Sequence, residues 1–268
     1  MPSRHRAFTL VELLVVIGII TVLIAVLLPV LARAREQANR IKCAANLHSM
    51  GQALTMYTQQ YGCYPGALFA TQATEAAVWP ARLRTLMGGG KEVFYCPSQD
   101  ERCRWTDATP EPVIQATGSF LDLGYYPGEP LVHLNAHFSY GYNGGGTEGY
   151  NGPVEDQKGL GIQPKHRASS WPGAGDLRAS RVKMPAEMIA VADSTADGKD
   201  DYVIAPIKSL GYKSAWPGRV HNGGANVLFC DGHVTWYRQE HLLVNEDHAT
   251  PAPEARMWNN DHRAYGER

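Results

Sequence analysis

The chain has 268 residues, 44% hydrophobic and only 19% charged, which excludes disorder along its whole length and allows one or two domains. Its 25 Lys and Arg against 26 Asp and Glu leave a net charge of −1, so no basic surplus points to nucleic acid as a main partner. Glycine (27) and proline (17) point to a loop-rich body, and the five cysteines form neither a dense disulfide scaffold nor a zinc-type C-x-x-C pair.

After Met1–Ala7 the sequence turns apolar, and Leu13 to Leu31 are nineteen residues without a charge. At ~1.5 Å rise per residue they span roughly 28 Å, close to the hydrocarbon thickness of a bilayer. Only Gly18, Thr21 and Pro29 interrupt the run of Val, Ile, Leu and Ala. A core helix this uniform would need cover on every side, so membrane insertion is expected. Two plain readings are a secretory signal cut after Val30-Leu31-Ala32 and a simple single-pass anchor. The run is longer than the usual ~7–15 residues of a signal core. Neither reading accounts for Glu12 at the head of the run, because an unpaired carboxylate costs ~2.5–3.5 kcal/mol at the membrane centre and less near its edge.

Arg6-Ala7-Phe8-Thr9-Leu10-Val11-Glu12-Leu13-Leu14 resembles the processing site of type IV prepilins and type II secretion pseudopilins. The resemblance implies a basic leader, residues 1–7, removed between Ala7 and Phe8, with N-methylation of the new Phe8 amine. Glu12 is then the fifth mature residue, the position where the family carries its Glu, and Pro29 sits where such helices commonly kink. The departure is Ala7, where the family usually has Gly. Glu12 is expected to act in assembly: offset packing of helices brings the Phe8 amine of one subunit toward the Glu12 carboxylate of another, and opposite charges attract strongly in low dielectric. The plainer alternative is a Glu12 that snorkels to the headgroups.

The helix continues past the membrane. Cys43, Leu47, Met50, Leu54, Tyr57 and Tyr61 recur at spacings of four and three, one face of an amphipathic helix, and Gly62 with Tyr64-Pro65-Gly66 ends it. Residues 8–31 are thus its membrane half and 32–62 its amphipathic half. A β-rich body is expected over 63–245, with a brief helix at Pro80–Met87 and strands at Val93–Cys96, His137–Tyr142 and Met188–Ala192. Residues 246–268 are polar and read as a loose tail. Ala225–Cys230 and His233–Tyr237 flank Asp231-Gly232, which predicts a hairpin on a two-residue loop with positive φ at both positions.

His221, nine residues, then Asp231-Gly232 is similar to the prepilin-associated domain named for that H-X9-DG spacing. Phe94–Ser98, Ser139–Asn143 and Ala192–Ser194 match its broad pattern. A ligand set shared by His221, Asp231 and His233 is not expected, because an extended strand over 225–230 would hold His221 and Asp231 roughly 30 Å apart, a distance that a turn at Gly223-Gly224 would shorten. His221, Asp231 and Gly232 are read as structural.

Asp193, Asp197, Asp200 and Asp201 with Ser194, Thr195 and Gly198 supply hard oxygen ligands for a structural calcium ion, which the pseudopilin resemblance supports; a solvated acidic turn is the alternative, and no other cofactor is expected. In an oxidising compartment Cys43, on the packing face, and Cys96, at the end of a predicted strand, are a candidate disulfide. Cys96–Cys103 is the rival pairing, and buried free thiols are the third reading.

No Gly-x-Ser-x-Gly elbow, phosphate-cradling loop or His-Glu-x-x-His pair is present. The expectation is an α+β, pilin-like fold: a long N-terminal helix packed on a small antiparallel sheet with long loops. The resemblance implies a non-enzymatic subunit of a type IV pilus or type II secretion-like filament. It would cross the bacterial inner membrane once, N-terminus cytoplasmic and C-terminal domain periplasmic, before polymerising. The implied partners are prepilin peptidase, an inner-membrane assembly platform, further pilins and membrane lipid. The alternative is a membrane-anchored or secreted periplasmic binding protein or enzyme that never enters a filament.

Overall fold

The computed structural model describes residues 10–70, 75–105, 115–133, 135–146, 158–161, 176–198, 201–206, 215–244 and 253–263. Leu10–Tyr61 forms one helix of 52 residues, α1, about 80 Å long and carrying Pro29 in its interior. It stops at Gly62, whose φ of +70° suits glycine and whose N–H closes on the Thr58 carbonyl at 2.9 Å. The second half of α1 buries Cys43, Leu47, Met50, Ala53, Leu54 and Tyr57. Gly51 lies in the same stripe for a different reason: a Cβ there would meet Leu228 Cδ1 at 2.7 Å and the Gly232 backbone at 3.2 Å, so glycine permits the helix to touch the sheet.

Two antiparallel sheets make the body. The smaller contains β1 (Leu68–Ala70), β2 (Glu75–Val78) and β3 (Val132–His133) in that order. The larger contains β4 (Tyr140–Tyr142), β5 (Ile189–Asp193), β6 (Gly224–Phe229) and β7 (Val234–Arg238), also in chain order. Between the sheets Trp79 stacks on Tyr142 at 5.5 Å and donates its indole N–H to the Tyr202 carbonyl at 2.7 Å. Arg84, fully buried, forms a two-pronged ion pair with Glu129, to which Lys91 adds a contact at 2.6 Å.

The larger sheet is covered on both faces, so β5 and β6 are buried at every residue. The helix side receives Ala190, Val191, Leu228 and Cys230; the far side receives Ile189, Ala192, Val227 and Phe229. Strict alternation would place Ala190 and Val191 on opposite faces. A register shift between Ile189 and Val191 lets both face the helix. The same alternation then brings Asp193 to the helix side.

Several expectations need correction. Val93–Cys96 is not a strand: Glu92–Phe94 is a 3-10 turn, and the Cys96 N–H donates to Ser139 Oγ at 2.9 Å instead of a strand partner. Its aromatic composition reflects burial, with Phe94 edge-on to Trp79 and Trp105. The brief helix appears as α2 (Trp79–Arg84) followed by a 3-10 turn at Thr85–Met87. Residues 253–263, expected in a loose tail, are packed: Pro253–Trp258 is a 3-10 helix, and fully buried Trp258 donates to the Leu242 carbonyl at 3.1 Å. The far face of the sheet demands an apolar cover, and Ala255 and Trp258 supply part of it.

The hairpin after β6 also differs. Gly232 N–H closes on the Phe229 carbonyl at 3.0 Å and Phe229 N–H on the His233 carbonyl at 3.0 Å, which defines a three-residue loop. Gly232 has φ +95°, while Asp231 is not among the positive-φ residues. The two-residue turn sits nine residues earlier, at Asn222-Gly223. His221 and Gly224 exchange both backbone hydrogen bonds, at 3.0 and 3.1 Å, around Asn222 (φ +53°) and Gly223 (φ +80°).

Candidate functional site

The membrane half and the body half of α1 meet different surroundings. Every Leu, Ile and Val from Leu10 to Leu31 is exposed, from 45% at Val16 to 78% at Leu10. This is a helix long and apolar enough to cross a membrane, and nothing in the described body covers that segment. Glu12 stands in its first described turn. Ala7 and Phe8 lie outside the described residues.

Where α1 reaches the body, a polar cluster forms at the junction. The Asn222-Gly223 turn folds the chain back and places His221, fully buried, at the mouth of β6. Trp236 on β7 donates its indole N–H to the His221 carbonyl at 2.9 Å. The His221 ring bridges helix and sheet: Nδ1 lies 2.8 Å from Glu36 Oε1 on α1, and Nε2 lies 3.4 Å from Cys96 Sγ and 3.7 Å from Asp193 Oδ2. Glu36 is held by the Ser98 hydroxyl, which donates to Oε2 at 2.9 Å. Asp193 Oδ2 accepts the Asn226 N–H at 2.7 Å, whereas Oδ1, buried, has no hydrogen-bond partner. Burial pushes the Asp193 carboxyl up to about 6, and His221 and the Asn226 hydrogen bonds draw it back only in part. Cys43 of α1 is bonded to Cys96, with Cα atoms 5.4 Å apart, so the same junction is covalently stapled. Cys103, the rival partner, is buried and unbonded, as are Cys63 and Cys230.

The structure parts residues that the sequence groups and groups residues that it separates. Asp231 does not join His221; it sits on the exposed hairpin tip, paired with His233 Nδ1 at 2.6 Å. The acidic loop is likewise divided. Asp193 belongs to the His221 cluster, while buried Asp201 accepts N–H groups from Gly198 at 2.9 Å, Asp197 at 3.1 Å and Phe138 at 3.3 Å, which caps its own loop. Asp197 is exposed and Asp200 lies outside the described residues. No motif singles out Glu36, but its helical position does. Residues 36, 40, 43, 47, 50, 54 and 57 continue one helical stripe at spacings of four and three, so Glu36 is the charged end of a buried face.

Residues 2–28 match the family described as the prokaryotic N-terminal methylation motif. The chain is 40% identical over 62 residues to type II secretion system core protein G of Pectobacterium carotovorum subsp. carotovorum, a match covering 23% of this chain and 40% of that protein. It is 38% identical over 75 residues to the protein of the same name from Klebsiella pneumoniae, covering 28% and 54%. The chain therefore spans about half the length of these two relatives. With the type IV wide pilus major component PilA4 of Thermus thermophilus it shares 30% identity over 116 residues, covering 42% of this chain and 88% of that protein. No solved structure matches significantly. The methylation motif, the long helix on antiparallel sheets and a pilus relative covered over nearly its whole length agree: the chain belongs to the family of type IV pilins and type II secretion pseudopilins.

Proposed function

We propose that the chain is a structural subunit of a type IV pilus or type II secretion-like filament. The observation that carries this reading is the division of α1: Leu13–Leu31 is apolar on every side and buried nowhere, while the face from Cys43 to Tyr57 is packed on the body. Such a helix needs a partner outside its own chain. A bilayer serves before assembly, and the helices of neighbouring subunits serve afterwards. In this reading the subunit crosses the bacterial inner membrane once, prepilin peptidase cuts between Ala7 and Phe8, Phe8 is N-methylated, and an assembly platform passes the subunit into the filament. Glu12 attracts the Phe8 amine of a neighbour, which favours assembly and sets its register.

Mass spectrometry of the mature protein tests the reading, the expected N-terminus being methylated Phe8. A chain beginning at Arg33, or an uncut Met1, would overturn it. Glu12→Leu is expected to be inserted and cut normally but to enter filaments poorly. Wild-type filament yield from a correctly processed Glu12→Leu chain would remove the assembly role of the charge.

A further inference from the structure

Four buried side chains converge where α1 docks on the sheet. One ligand atom each from Cys43, Cys96, Asp193 and His221 lies within 4.8 Å of all the others, and all four residues are buried. Their order in the chain, on α1, in the turn after Glu92–Phe94, on β5 and just before β6, hides this from any local motif. Ligands on one tetrahedral zinc ion fit within that span; the two sulfurs, bonded to each other here, would part on reduction to the ~3.8 Å that Zn–S bonds of ~2.3 Å require.

The hydrogen bonds make the case chemically. An ionised Glu36 can only accept, so the 2.8 Å contact places a proton on His221 Nδ1. In the neutral ring the Nε2 lone pair then faces Cys96 Sγ and Asp193 Oδ2. The unpartnered Asp193 Oδ1 is buried in the same cluster. Once Cys43 and Cys96 are reduced to thiolates, electron-rich atoms crowd together away from water, which is costly unless a cation sits among them. A carboxylate hydrogen-bonded to the far nitrogen of a ligating histidine is also the usual outer support of a zinc site. Glu36, itself held by Ser98, is placed for that role.

We propose that the chain with Cys43 and Cys96 reduced binds one zinc-type divalent cation through both thiolates, His221 Nε2 and the Asp193 carboxylate, with Glu36 as the positioning residue behind His221. Binding releases the two thiol protons and exchanges no electrons. The cation and the Cys43–Cys96 disulfide are alternative staples for one junction, because bonded sulfurs carry no thiolate. Either staple fixes the long helix to the body. This inference does not depend on the filament reading.

The test uses the full-length chain in detergent micelles, reduced by a phosphine and titrated with Co2+ as a spectroscopic substitute for zinc. The expected result is one Co2+ per chain, with the visible bands of a tetrahedral site and thiolate-to-cobalt charge transfer, both bleached by Zn2+. Cys43→Ser and Cys96→Ser should each lower the charge-transfer band by at least half, and the double variant should abolish it, whereas Cys63→Ser, Cys103→Ser and Cys230→Ser should each leave it. The partly exposed Glu36 tolerates a neutral isostere, so Glu36→Gln should fold and lose about 10–100-fold in zinc affinity. The site is overturned if the reduced wild-type chain takes up no cobalt, if cobalt binds without the thiolate band, or if the band keeps its full intensity in Cys43→Ser. Unchanged zinc affinity in Glu36→Gln would overturn the positioning role.

Discussion

The two halves of α1 are equally regular as helix and opposite in every other respect. From Leu13 to Leu31 apolar side chains cover all faces and none is buried; from Cys43 to Tyr57 one face, carrying Cys43, Leu47, Met50, Leu54 and Tyr57, nearly vanishes from solvent. Uniform hydrophobicity means that the complementary surface lies outside the chain. A stripe means that the complementary surface is the chain's own sheet. Past the junction between the halves, the helix is tied to the body by the Cys43–Cys96 bond and the Glu36–His221 contact, and Gly51 permits a close approach to the sheet.

The sharpest way to break this comparison is the same truncation in each half. Leu47→Ala removes a fully buried side chain and should cost about 2–5 kcal/mol in urea unfolding of the body. Leu23→Ala, at a residue 55% exposed, should change the same measurement by less than about 0.5 kcal/mol. Equal losses would mean that the apolar half packs on the body after all.

A pH scan sharpens the comparison from the side of the body. Burial alone would raise the Glu129 carboxyl, but hydrogen bonds from Arg84, Lys91 and the Tyr126 N–H outweigh it and hold the group at about 2. A depressed carboxylate stabilises the fold at pH above its unfolded value near 4.5, and that contribution fades as pH falls through about 2. Unfolding free energy should therefore fall by on the order of 2 kcal/mol between pH 5 and pH 2 on account of this group. The Leu23→Ala chain should show the same slope, whereas Glu129→Gln should flatten it. An unchanged slope in Glu129→Gln would assign the acid sensitivity elsewhere.

The smallest effect is expected at the turn that presents His221. Asn222 adopts a left-handed conformation that asparagine tolerates and alanine does not, so Asn222→Ala should cost about 1 kcal/mol. Thermal unfolding monitored through Trp236, whose indole N–H bonds the His221 carbonyl, is the appropriate readout. A stabilised variant would contradict the turn geometry.

Much of the architecture is legible in the sequence because it is written in short periods. Nineteen uncharged residues declare a helix with no partner in the body, and a four-three spacing declares the packing face. The buried strand near Ile189–Asp193 follows from its apolar run, and the hairpin between β6 and β7 from Asp231-Gly232. Composition misleads where a buried segment has its backbone satisfied by a side chain, as at Cys96, whose N–H bonds Ser139. It also misleads at Trp258, where polar neighbours conceal an aromatic ring that covers the far face of the sheet.

The junction cluster belongs to the tertiary structure alone. Residues 36 and 43 share one stripe of α1, whereas 96, 193 and 221 come from three other stretches, and no spacing rule connects these four segments. The register shift in β5 turns Asp193 toward the helix, and the Asn222-Gly223 turn brings His221 back across it. Local sequence sets which segments are helix, strand or turn, because those preferences act over a few bonds. Which side chains then meet depends on how the elements pack, a property of the whole chain that no segment carries.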